Sequence, residues 1–420
     1  MCDKQMDRDL LRILFITPYL PSPIRVRPFQ LIRHLVMAGH RVTVAALGDN
    51  SPADGNALAA LREICEAVHV VSNPRAAALM RAAAALPTPT PLWAAWCQSP
   101  EIARLVRRLA AGGAFDVAHI EHLRAAHLAD SLSGLLPCAF DAVDCLTDLR
   151  RQMVARTART DPRYWIAWEE WAKLTRYEPR VCQAFTQIAV TSAGDAAALA
   201  ALGVRTPITV ISNGVDTHYF RPPDDPPPKR FDLVFSGKMS YQANEDAALF
   251  LLSDLLPRLD ALLPRAPSVT VCLAGSGPSG RLLRAAARWE GRVTVTGYVD
   301  DLRPFLAASR VAVCPLRIGV GIQNKALEAM AMGLPTVVSP LAGHALVGAS
   351  KAGGLRIADG ADALSHACAD WLIHENAAKA AGESARRYVL EHHQWEAAAG
   401  LFVALYASVR RAAEPARRVP

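Results

Sequence analysis

Lys325 and Glu328 stand three residues apart at the start of an apolar helical pattern, in the stretch RIGVGIQNKALEAMAMGLPTVVS, residues 317–339. Gly319 and Gly321 precede them and allow a tight turn and close approach of a ligand to the main chain. Asn324 reads as a helix N-cap. A helix start carries unpaired N–H groups and a partial positive charge, which favours anions. Lys325 adds a full cation in that first turn, so glycines, amides and lysine together suit phosphate oxygens. Glu328 lies about one turn further on, on the same face. It can accept two hydrogen bonds from a vicinal diol such as a ribose, as an acid does in dinucleotide-binding folds. The plainer alternative is an ordinary solvated ion pair. Against it, Ala326, Leu327, Ala329, Met330 and Met332 make the helix apolar on most sides, and a buried acid without a partner is costly.

The elements that would position these groups repeat along the whole chain. A short β-branched run, a Gly, Pro or polar break, and an amphipathic helix alternate. Strands are expected at Arg12–Thr17, Val42–Leu47, Phe115–Ile120, Phe140–Val143, Ile188–Thr191 and Ile208–Ile211. A second series is expected at Leu233–Phe235, Val269–Leu273, Val293–Thr296, Val311–Pro315 and Thr336–Ser339. Helical patterns such as Leu31, Ile32, Leu35, Val36 lie between them. Alternating strands and helices imply parallel sheets covered on both faces. RPPDDPPPKR, residues 221–230, holds five prolines and cannot be helix or central strand, so it reads as a stiff connector between two domains.

Bulk properties exclude several classes. The 420 residues are 51% hydrophobic and 20% charged, a globular composition. The formal charge of +7 favours anionic partners such as phosphates or acidic membrane surfaces. Nine scattered cysteines form no CxxC pair, which suits a reducing compartment, and no metal-binding motif stands out. The opening MCDKQMDRDLLRILFITP does not read as a secretory signal, and no apolar run reaches membrane-spanning length. A cytoplasmic protein is expected. A dehydrogenase fits poorly, because no G-x-G-x-x-G follows the first strand.

The pattern G-x-G, x-x-K-x-x-E-A-M-A-x-G-x-P-x-V-x-S resembles the donor site of retaining glycosyltransferase family 4, in its polysaccharide-building branch. ISNGVDTHYF (211–220), LVFSGKMSYQANEDAALFLL (233–252), LAGSGP (273–278) and VTVTGYVDDLRPFLAASRVAVCPL (293–316) resemble its second domain. PYLPSPIRVRPFQLIRHLVMAGHRVTV (18–44) and RYEPRVCQAFTQIAVTSAGDAAAL (176–199) resemble its first, and the late Trp395 also fits. The resemblance implies an α/β GT-B fold: two Rossmann-like parallel-sheet domains facing each other across a cleft. It implies domains at 1–215 and 229–385, a linker at 216–228, and a segment 386–420 with a helix returning to the first domain and a basic tail.

By the same resemblance, Glu328 binds the ribose, while Lys325 and the helix start (Gly321, Gln323, Asn324) meet the diphosphate. Gly237 and Lys238 approach the distal phosphate, and Tyr298 and Val299 flank the base. Glu121 and His122, at a strand end, face the transferred sugar, with His119 packed in the sheet; Glu121 is the better aligned. Lys238 and Lys325 join Glu121 and His122 as the catalytic set. The family often has two acids here with seven residues between them, and the first position is Val320. Its diphosphate loop often carries a glycine where this chain has Arg25 and Arg27, and Arg27 is placed to neutralise phosphate charge. The reaction implied is transfer of a sugar from a UDP- or GDP-sugar to a glycan or lipid-linked glycan, with retention and without a metal or nucleic acid. A nucleotide-sugar epimerase or a lapsed nucleotide-sugar binder are the other readings. In 145–178, arginines interleave with Trp165, Trp168 and Trp171. The rings singly are expected to pack inward, while the segment as a whole suits an acceptor groove or the inner face of a membrane.

Overall fold

The computed structural model describes residues 10–23, 26–49, 51–263 and 268–417. Arg25 lies outside them. The chain forms two compact units, one running through Ser212 and resuming at Trp395, the other Asn213–Gln394. The changeover therefore falls before the proline-rich stretch. That stretch is part of the second unit, where Pro222 packs near Gly333 and Phe220 lines the core. It is not a connector between units, because its neighbours on both sides are anchored in one core. Likewise 386–420 is split: Glu375–His392 is a helix of the second unit, and only the chain from Trp395 belongs to the first.

The first unit is built on strands β1 (Arg12–Thr17), β2 (Arg41–Gly48), β3 (Ala67–Ser72), β4 (Val117–Glu121), β5 (Cys138–Val143), β6 (Ile188–Val190) and β7 (Ile208–Val210). Their order is β3-β2-β1-β4-β5-β6-β7, and every pairing is parallel. Parallel strands need both faces covered. In β1, Ile13 and Phe15 enter one core while Leu14 and Ile16 enter the other. The first core includes Leu31, Ile32 and Leu35 of the helix Val26–Met37, and Trp395, Phe402 and Tyr406 of the last helix, Trp395–Arg417. Each of these buried side chains is worth on the order of 1.5–3 kcal/mol.

The helices Leu146–Arg156 and Pro162–Cys182 pack together on this unit. Glu178 of the longer one caps the shorter, accepting from the Leu146 and Thr147 amides at 2.9 and 2.8 Å. Trp165 and Trp168 do not pack inward as the sequence pattern suggested. They are 57% and 46% exposed, because the packed stripe of their helix is instead Ala167, Glu170, Leu174, Tyr177 and Glu178.

The second unit holds β8 (Phe231–Ser236), β9 (Val271–Ala274), β10 (Val293–Val295), β11 (Ser309–Cys314), β12 (Thr336–Val338) and β13 (Leu355–Ile357). Their order is β10-β9-β8-β11-β12-β13, again all parallel. Leu233 and Phe235 face one core, Phe231 and Val234 the other. In each sheet the strand order reverses once, at β1/β4 and at β8/β11, where loops diverge and leave a crevice at the carboxyl ends. No helix among the described residues is long and apolar enough to cross a membrane.

Candidate active site

In the second unit, the loops after β8 and β9 are zipped together by main-chain bonds. Gly237 N donates to Ala274 O at 2.9 Å and Met239 N to Ser276 O at 2.8 Å. Gly237 (φ +146°) and Gly275 (φ +144°) hold conformations that side chains resist. A Cβ on Gly275 would lie 1.9 Å from the Gly237 carbonyl oxygen. Gly275→Ala is therefore expected to cost roughly 1–3 kcal/mol in backbone strain alone. It would also part the two loops, so loss of donor affinity should exceed what the drop in melting temperature explains. Calorimetric titration with donor, below the melting range, checks this.

Gly297 pairs antiparallel with Gly275, which brings Tyr298 and Val299 to the rim of the same loop. Tyr298 is 68% exposed, so its ring is open to stack on a planar ligand. Lys238 is exposed, while its carbonyl accepts from Asn244 Nδ2 at 2.9 Å.

Across the β8/β11 switch point, the chain leaves β11, turns at Gly321 (φ +68°) and enters the helix Asn324–Ala331. Gln323, not Asn324, occupies the N-cap position, and no side chain caps the helix. Asn324 instead accepts from Asn213 Nδ2 at 2.8 Å, and Gln323 donates to Val320 O at 3.0 Å. Ala326 N donates to Gln323 O at 3.0 Å, while the Asn324 and Lys325 amides have no partner among the described residues. Gly319 adopts no left-handed conformation, and a Cβ there meets only ordinary contacts, so the sequence reading overstated it.

Lys325 Nζ donates to Asn244 Oδ1 at 2.6 Å and lies 5.3 Å from the centre of the Phe235 ring. Burial lowers its pKa, opposed by Cys314 and Glu328. Glu328 is half-buried, and burial pushes it up to about 7 against the pull of Lys325. Among the described residues its carboxylate makes no hydrogen bond and no ion pair. Gly237, Lys238, Tyr298, Val299, Gly321, Gln323, Asn324, Lys325 and Glu328 thus all fall at the carboxyl ends of β8–β11.

Asn244 is the member that sequence reasoning missed. It is 6% exposed, and its amide bridges the Lys238 carbonyl and the Lys325 ammonium. Its only signal was a place in the polar first turn, QANED, of the helix Gln242–Phe250, which did not distinguish it from its neighbours.

The first unit departs from expectation. Arg27 is not in a loop and not open to phosphate. It sits in the first turn of Val26–Met37, 5% exposed. Its guanidinium meets Asp141 through two bonds of 2.8 and 3.0 Å and donates to Ile211 O at 3.1 Å. Phe402 lies beneath it. The partner Asp141, an acid inside a buried strand, was not weighed from sequence.

Glu121 is also covered, at 1% exposure. It accepts from the Tyr19 hydroxyl at 3.0 Å, its Oε2 has no partner, and burial pushes it up to about 8. Burial favours its neutral form and shields it, which does not suit a group that must touch substrate. His122 suits better. It is half-buried, strained into a left-handed conformation (φ 70°), and held well below the usual imidazole range by burial, then by Arg124 and Arg150. Its Nδ1 accepts from the Arg124 amide at 3.2 Å, which leaves the neutral ring's proton on Nε2 as a donor. His119 is fully buried, stacked 4.0 Å from Phe15 and bonded to the Tyr406 hydroxyl at 2.8 Å.

Two parallel six- and seven-stranded sheets, each with a reversed strand order, together with an uncapped helix start and a lysine, define a Rossmann-like, GT-B class protein. Residues 26–219 match the model described as Glycosyltransferase Family 4, and residues 230–374 the one described as Glycosyl transferases group 1. The chain belongs to glycosyltransferase family 4. A GDP-mannose-dependent alpha-(1-6)-phosphatidylinositol monomannoside mannosyltransferase of Mycobacterium tuberculosis is 30% identical over 218 residues, 47% of this chain and 54% of that protein. The match thus spans about half of that relative's length. Among solved structures, sucrose-phosphate synthase of Thermosynechococcus elongatus aligns with TM-score 0.70 at 17% identity, covering 96% of this chain and all (100%) of that one. Anabaena HepE in complex with UDP and glucose aligns at 0.68 and 15%, covering 95% and 100%. At these identities the structures speak for the fold.

Proposed function

We propose that this protein transfers a sugar from a nucleotide-diphosphate donor, a UDP- or GDP-sugar, to a saccharide or lipid-linked saccharide, with retention at the anomeric carbon. The observation that carries the reading is the unpartnered, half-buried Glu328 carboxylate one turn beyond Lys325 and an uncapped helix start. A carboxylate there accepts both hydroxyls of a ribose, while Lys325 and the first-turn amides hold the diphosphate. The chemical burden is the charge that builds on the departing diphosphate. Fixed donors aimed at developing charge reduce that barrier without reorganising. Lys325, Lys238 and the helix start supply them, so the reaction needs no metal. Support for the donor class comes from the printed names of similar proteins: a GDP-mannose-dependent enzyme and a structure holding UDP-glucose. Val320 carries no carboxylate, so main-chain groups around Gly321 bind the sugar hydroxyls.

The test is a thermal-shift screen over UDP-, GDP- and ADP-sugars. One base class is expected to raise the melting temperature by mass action, and Glu328→Ala to remove most of that rise. A shift that survives the substitution refutes the ribose role. pH adds a second reading. Only the ionised carboxylate accepts two bonds, so donor affinity should climb as pH rises through about 7 and then level off. Without donor the sign reverses. An acid harder to ionise folded than unfolded stabilises at low pH, and that stability fades as pH rises from the usual carboxylate range through about 7. Glu328→Gln should flatten both trends. An epimerase would alter the donor with no acceptor present.

A further inference from the structure

On the Pro162–Cys182 helix, the buried stripe is Ala167, Glu170, Leu174, Tyr177 and Glu178. Helical geometry puts Trp165, Trp168, Ala172 and Arg176 on the opposite side, at spacings i, i+3, i+7 and i+11. Trp165 and Trp168 are 57% and 46% exposed and meet edge to face at 6.4 Å, and Ile166 beside them is 51% exposed. The Trp165 indole N–H is satisfied by the Arg159 carbonyl at 3.2 Å. Its polar end is therefore anchored to the protein while its ring faces out. Clustered exposed rings of this size are unusual on a surface with no partner.

Charge says what covers them. Arg156, Arg159 and Arg176 are exposed, and among the described residues none is ion-paired. The nearby acids are engaged: Asp161 by Arg163 at 2.7 Å, Asp148 by Arg151 at 2.6 Å, and Glu169 by Lys173. Amphipathic rings flanked by free arginines match the headgroup layer of an anionic bilayer. A second copy of this chain matches worse, because a two-fold contact would set these arginines against themselves.

We propose that the outer face formed by Trp165, Ile166 and Trp168, with Arg156, Arg159 and Arg176, seats this protein on an anionic lipid surface. The rings lie at headgroup depth and the arginines bind lipid phosphates, and no helix among the described residues is long and apolar enough to cross the bilayer. This rests on the outer face alone and stands whatever reaction the protein catalyses.

The test is co-sedimentation of the full chain with phosphatidylcholine vesicles with and without phosphatidylglycerol. Binding is expected only with the anionic lipid, weaker at high salt, and with a blue-shifted tryptophan emission. Trp165→Ala/Trp168→Ala should lower the partition about tenfold or more. Arg156→Glu/Arg159→Glu should lower it roughly fivefold per arginine removed. Both variants alter exposed side chains, so melting temperature and donor-induced thermal shift should stay at wild-type values. The proposal is overturned if the full chain ignores phosphatidylglycerol vesicles or if the double tryptophan variant binds them as well. It is equally overturned if light scattering shows a dimer that the tryptophan substitutions dissolve, which would make this face a contact between copies.

Discussion

Asp141→Ala is expected to destabilise the first unit by about 3–5 kcal/mol, because it leaves a buried guanidinium without its counter-charge. Arg27 is 5% exposed and has its two strongest bonds to that one carboxylate. At about 2–4 °C per kcal/mol for domains of this size, the melting transition should fall by roughly 6–20 °C. Arg27→Ala should do nearly as much from the other side, since it strands Asp141 near Glu121 and the 4.0 Å-distant imidazole of His119. Neither variant should change donor affinity measured below its own melting range. The pair therefore separates the structural role from the phosphate role that the sequence suggested. A stable Arg27→Ala protein with weakened donor binding would restore the latter.

Lys325→Ala should leave the fold intact and lower kcat/KM about 10²–10³-fold, the loss typical of removing one fixed donor from developing charge. Lys325→Arg should rescue little. The slot is set by a 2.6 Å bond to Asn244 and by Phe235, and a planar fork does not replace a compact ammonium there. Asn244→Ala should lose part of the same activity, because it frees the lysine and unclamps the Lys238 carbonyl at once. A double-mutant cycle between the two positions should show strong non-additivity. Additive losses would mean that Asn244 does not position Lys325.

The sequence was most readable where local chemistry acts alone. β1 begins and ends where its β-branched run does, Arg12–Thr17, and the helix read from the apolar pattern after Asn324 begins one residue earlier, at Asn324 itself. Two strands were overlooked, β3 and β13, both at sheet edges. Edge strands are half-buried, as in AVHVVS at Ala67–Ser72, and lack the continuous apolar signal of central ones. The errors at Arg27 and Glu121 share a cause. Their fates are set by Asp141, Tyr19 and Phe402, which are remote in sequence and near only after folding. An arginine in a loop-like stretch and an acid at a strand end look available until those partners are known. Trp165 and Trp168 failed in the opposite direction: large rings default to the interior, and only the observed stripe of buried neighbours shows which way their helix is turned.

The last helix has a bearing on how the chain is made. Trp395, Phe402 and Tyr406 fill the first unit's core, yet they are synthesised after all of the second unit. Residues 213–394 are contiguous and can collapse as they leave the ribosome, whereas the amino-terminal portion waits with one side of its sheet only partly covered until Trp395–Arg417 has been made. The later-encoded body is thus the earlier to mature. A ribosome that stops near Gln394 releases a finished second unit tethered to an aggregation-prone first one.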